Sequence, residues 1–104
     1  MNKFDYGIFT QVRYKQNREF ISQGWKLHCS GTIDNYKEIL TIVKDECNLE
    51  KIDYKYVREY KSIQYRISGD CPTPAFGKLI TIYPNSIESF ILIANKLYHR
   101  FFKV

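Results

Sequence analysis

The chain has little of what marks a stapled, metal-bound or membrane-embedded protein. Its 104 residues hold three cysteines, Cys29, Cys47 and Cys71, an odd number with no C-x-x-C spacing. Neither a disulfide framework nor a zinc site follows from such a set, and a reducing, cytoplasmic compartment is expected. No apolar run approaches the roughly 20 residues that a membrane span requires. The N-terminal residues, Asp5 among them, lack the apolar centre of a secretion signal, so no membrane partner is expected. No repeat, low-complexity tract or Gly/Ser linker divides the sequence. One domain over 1–104 is expected, with 1–21 as a variable lead-in.

Against these absences stand 44% hydrophobic and 16% aromatic residues, including nine Tyr and seven Phe. That is ample material for a core and argues against disorder. Sixteen Lys and Arg against eleven Asp and Glu give a formal charge of +5. A basic balance favours anionic partners: phosphate groups, nucleic acid or acidic peptides.

Along the chain, Phe4 to Tyr14 reads as a strand or an irregular lead-in, and Trp25 to Ser30 as a strand. Asp34 or Thr32 caps a helix whose apolar positions Tyr36, Ile39, Leu40, Val43 and Cys47 follow helical spacing. Ile52 to Tyr60 reads as a strand with Tyr54 and Tyr56 on one face and Lys55 and Val57 on the other. Ser68 to Gly77 is a loop, and Lys78 to Tyr83 is a strand stopped by Pro84. A last helix opens at Asn85 or Ser86, with Glu88 in capping-box spacing to Asn85. Its expected core stripe is Phe90, Ile91, Ala94, Leu97, Tyr98 and Phe101. The order implies an α+β fold, a small mixed sheet with two main helices packed on it.

The segment Gly24-Trp25-Lys26-Leu27-His28-Cys29-Ser30 carries the chemistry, because strand alternation puts Lys26 and His28 on one face. A fixed ammonium beside an imidazole that titrates near neutrality can hold an anion and move a proton at one spot. Such a face also occurs by chance on solvated strands. Likewise Lys55 reads equally as an ordinary strand residue, Lys78 as a strand-start charge, and Tyr83 as packing.

Gly24-Trp25-Lys26-Leu27-His28, Asp34-Asn35 opening a helix, Tyr54-Lys55-Tyr56-Val57-Arg58 and Gly77-Lys78-Leu79-Ile80-Thr81-Ile82-Tyr83-Pro84 follow one another in order. Together they resemble successive blocks of the N-terminal phosphoserine/phosphothreonine lyase domain of class III and IV lanthipeptide synthetases, over roughly residues 22–104. The resemblance implies a lyase-like domain that eliminates phosphate from a phosphorylated precursor peptide, leaving dehydroalanine or dehydrobutyrine. It implies Lys55 as the base that removes the α-proton and His28 as the acid that protonates the departing phosphate. Lys26, Arg58, Lys78 and Arg66 are the candidate phosphate-binding cations. No metal or organic cofactor is implied. The partners implied are a precursor peptide and separate kinase-like and cyclase-like proteins.

The sequence departs from that family where its loops carry further cations. The family's Asn-Ser-Lys turn aligns with Ile67-Ser68-Gly69, and its Arg-Gly-Ser-Ser-Gly-Lys loop with Thr73-Pro74-Ala75-Phe76-Gly77-Lys78, so Gly69 and Thr73 stand at cationic positions. Family domains also continue beyond the point matching Val104 with more basic residues. Each missing charge-assisted bond removes roughly 1.5 to 3 kcal/mol from dianion binding. Two alternatives therefore accompany an active lyase. One is a catalytically silent module that binds a precursor or phosphopeptide or docks to a synthetase subunit. The other, less favoured, is a basic nucleic-acid-binding domain that stacks bases on Tyr54, Tyr56 and Tyr60 beside Lys55, Arg58 and Lys61.

Overall fold

The computed structural model describes residues 1–14, 25–71 and 77–102. In chain order the elements are β1 (Asn2–Tyr6), β2 (Phe9–Arg13), β3 (Leu27–Cys29), α1 (Tyr36–Glu50), β4 (Asp53–Val57), α2 (Tyr60–Arg66), β5 (Ile80–Tyr83) and α3 (Ile87–Phe101). The strands form one sheet in the order β1-β2-β4-β5-β3. The expected α+β class is found, and all four described pairings are antiparallel rather than mixed.

One sheet face carries the core. Val12, Tyr54, Tyr56, Ile80 and Ile82 alternate onto it and pack with Val43 and Cys47 of α1 and Ile93 and Leu97 of α3. The tyrosines keep their hydroxyls satisfied there: Tyr36 Oη donates to the Val57 carbonyl at 2.7 Å, and Tyr54 Oη to Asn48 Oδ1 at 3.1 Å. No helix among the described residues is long and apolar enough to cross a membrane.

The start of α1 is fixed by Asn35 rather than by Asp34. Asn35 Oδ1 accepts from the Thr32 N–H at 2.7 Å while Thr32 Oγ1 accepts from the Asn35 N–H at 3.2 Å. Gly31 makes room for this clasp, since a Cβ there would meet Asn35 Oδ1 at 2.8 Å. In α3 the capping box joins Ser86 and Ser89, not Asn85 and Glu88; each side-chain oxygen accepts the other's N–H at 3.1 Å.

Residues 2–13 form a hairpin around Gly7, whose φ of 57° lies in the left-handed region a tight hairpin turn needs. The strand expected over Ile52–Tyr60 ends at Val57, and Tyr60–Arg66 turns into the short helix α2, held by buried Ile63. Tyrosine-rich composition favoured strand, but Ile63 and Ile67 recur at helical spacing and both pack on the core.

The phase of α3 also differs from the expected stripe. Ile93 and Leu97 are buried, whereas Ile91 and Tyr98 are 53% and 65% exposed. Apolar residues occupy more than half of the helix circumference, so periodicity alone admits either phase. Ion pairs select one: Lys96 Nζ reaches Glu50 at 2.5 Å, and Arg100 reaches Glu46 at 3.2 Å and Asp45 at 3.4 Å, all on α1. Ile93→Ala is expected to cost about 2–5 kcal/mol in denaturant unfolding, and Ile91→Ala less than about 0.5 kcal/mol. Equal losses would mean that α3 is rotated from the position described.

Candidate functional site

The register of the sheet places one row of side chains across all five strands. Phe4 pairs with Gln11, Gln11 with Lys55, Lys55 with Thr81, and Thr81 with His28. Directly paired residues project to the same face, here the face turned away from α1 and α3. His28 and Lys55 therefore lie on one side with Thr81 between them. Asp53 pairs with Tyr83 one step along, and Lys26 places its Nζ 5.9 Å from the centre of the Tyr83 ring.

This face forms an open cleft of about 610 Å³. The hairpin supplies Phe4, Tyr6, Gln11 and Arg13 to its lining, and Lys26, Lys55 and Tyr83 supply the rest. His28 borders it. Its Nδ1 sits 3.2 Å from Thr81 Oγ1, which leaves Nε2 as the ring nitrogen available to a ligand.

The cations act on one another. Half-buried Lys55 has its pKa lowered, first by burial and then by Lys26 and Arg66. Its Nζ lies 4.3 Å over the Phe9 ring, and the Arg66 guanidinium lies 5.0 Å from the centre of the same ring. Arg66 also donates to the Lys78 carbonyl at 3.3 Å. The His28 pKa is lowered by burial first, then by Lys78, Lys26 and Lys55. An anion entering this face meets a crowd of positive charge and relieves it.

The structure thus brings together Lys26, His28 and Lys55, with Lys78 and Arg66 close enough to act on them. It does not bring Arg58. That guanidinium donates to the Phe9 carbonyl at 2.7 Å and the Gly7 carbonyl at 2.8 Å, and faces Asp5 at 3.6 Å. Arg58 ties the hairpin to the end of β4; standing three residues from Lys55, it would not share that residue's face even if the strand ran on. Gly24 and the loop positions Pro72, Thr73, Pro74, Ala75 and Phe76 lie outside the described residues.

Gln11, Arg13, Phe9 and Thr81 were not singled out in the sequence. Only strand register puts them beside Lys55, and register is set by long-range pairing. The alternation of Lys-Leu-Ile-Thr-Ile-Tyr was the one local signal for Thr81. Tyr83, read as packing, is buried and also lines the cleft. Tyr54 and Tyr56 are only 3% and 7% exposed on the opposite face, so neither offers a stacking surface for bases. Burial pushes the Cys29 thiol up to about 11 and raises that of Cys47, so neither is a ready nucleophile. Among the described residues no group of His, Cys, Asp and Glu is arranged to hold a metal ion.

A free amine beside an anion cradle can remove a proton from a carbon acid whose neighbour bears a negative leaving group. In an NMR titration the His28 ring is expected to show a midpoint below 6.5 in the free chain. Inorganic phosphate is expected to raise it, because the dianion favours the imidazolium. A midpoint unmoved by saturating phosphate would remove His28 from the anion site.

The family model described as RamC, N-terminal domain, matches residues 4–103 of the chain. No curated protein matches it significantly.

Proposed function

The chain belongs to the RamC N-terminal domain family, a family associated with lanthipeptide biosynthesis, and from that premise we propose that it is a phosphoserine/phosphothreonine lyase acting on a ribosomally made precursor peptide. The row that sets Lys55 and His28 on one face of the sheet, bridged by Thr81, carries this reading.

In the reaction, the neutral Lys55 amine takes the Cα proton of the phosphorylated residue. The C–H electron pair becomes the Cα=Cβ double bond, and the Cβ–O bond breaks with its pair leaving on the phosphate oxygen. His28, protonated through Nε2, gives its proton to that oxygen. Lys26, Lys78 and Arg66 hold the phosphate. The products are inorganic phosphate and a dehydroalanine or dehydrobutyrine residue; no metal or organic cofactor enters the balance. Separate kinase-like and cyclase-like proteins would supply the phosphorylated residue and consume the dehydro residue.

A second reading, a phosphopeptide-binding module without turnover, draws support from the lowered His28 pKa, which disfavours the protonated acid. Rate measurements separate the two. With a phosphothreonine or phosphoserine peptide, the lyase releases phosphate, and Lys55→Ala or His28→Ala lowers the rate about 10²- to 10⁴-fold with peptide affinity nearly unchanged. Because Lys55 must be neutral and His28 protonated together, the lyase rate is expected to rise with pH only up to the lower midpoint and to fall above the Lys55 midpoint, which lies below 10.5. Salt-sensitive binding with no phosphate release over hours would favour the module. Phosphate release that survives Lys55→Ala would overturn the choice of base.

A further inference from the structure

Gln11 is 7% exposed, and among the described residues its Oε1 has no hydrogen-bond partner. It lines the cleft and is the direct cross-strand neighbour of Lys55. A buried amide acceptor left unpaired is costly, so its retention at this spot calls for a donor that arrives with the ligand.

The donor cannot be the phosphate, whose oxygens in the dianion only accept. It also cannot be the side chain of a phosphorylated serine or threonine, whose hydroxyl is esterified. Phosphate goes to the cations Lys26, Lys78 and Arg66, and the Cα–H must face Lys55 Nζ. The donors left close to that Cα are main-chain N–H groups, and the one bonded directly to it is that of the phosphorylated residue itself. We infer that Gln11 is a positioning residue that accepts a hydrogen bond from this N–H and so holds the Cα–H against Lys55. The inference rests on the proposed lyase reading and adds to it a peptide main chain as what the hairpin wall recognises. Phe4, paired with Gln11 on the other side, closes the cleft beyond it.

The test pairs a protein change with a substrate change. The probe is a capped phosphoserine peptide flanked by alanines, used with and without a methyl group on the phosphoserine nitrogen. Binding is measured by calorimetry and phosphate release by single-turnover kinetics. In the wild-type chain, N-methylation is expected to lower affinity or the elimination rate about tenfold. In Gln11→Met, which keeps length and removes the acceptor, methylation is expected to have no further effect. Unfolding of free Gln11→Met gives a second reading: removing an orphaned acceptor leaves the melting temperature equal or higher, whereas a structural hydrogen bond would lower it.

Equal methylation penalties in both proteins, or a lower melting temperature of Gln11→Met, overturn the role of Gln11 while leaving the lyase reading intact if phosphate is released. Methylation-sensitive binding without phosphate release keeps Gln11 as a main-chain reader and overturns the lyase. Failure of the wild type either to bind or to react overturns both.

Discussion

The register between β2, β4 and β5 is the constraint on which everything else hangs. Gln11, Lys55 and Thr81 face one another only because Val12, Tyr54 and Ile82 must face the helices. A slip of one residue would turn Lys55 into the core and Tyr54 into the cleft. Burial of the apolar face therefore fixes the polar row, within which the contact of His28 Nδ1 with Thr81 Oγ1 adds a local tie. The mutually repelling cations are held there by packing on the opposite side of the sheet.

Two arginines show how position along an element decides a role. Arg58, just past the end of β4, is consumed by main-chain carbonyls of the hairpin turn and secures the sheet's outer pair of strands. Arg66, at the end of α2, reaches back across the Phe9 ring toward Lys55. A strand continuing to Tyr60 would have carried the chain away, whereas a helix of two turns returns it. The turn into α2 is thus what places the Arg66 charge beside the Lys55 amine.

Local patterns made α1, α3, the middle strands and the shared face of Lys26 and His28 legible in the sequence, but not α2. The pairing of Lys55 with that face was not readable from spacing and came from family resemblance; the antiparallel register then gives it a physical basis. The hairpin was the harder part. Phe4, Gln11 and Arg13 have neither motif nor unusual spacing, and their position depends on β2 joining β4 more than forty residues away. The phase of α3 was ambiguous for a different reason: its apolar surface is wider than its core contact requires, and ion pairs to α1 make the choice.

The electrostatics impose an order on the proposed chemistry. Elimination needs a free amine and a protonated imidazole together, yet burial first, and then the neighbouring cations, lower both pKa values. Lys55 is thereby moved toward the state it needs and His28 away from it. A phosphate dianion lodged among Lys26, Lys78 and His28 raises the nearest group most, because the attraction falls with distance. With His28 at the phosphate and Lys55 at the Cα, the substrate recharges the acid more than it silences the base. The same row of the sheet that separates the two groups by one threonine is what allows a single bound anion to treat them differently.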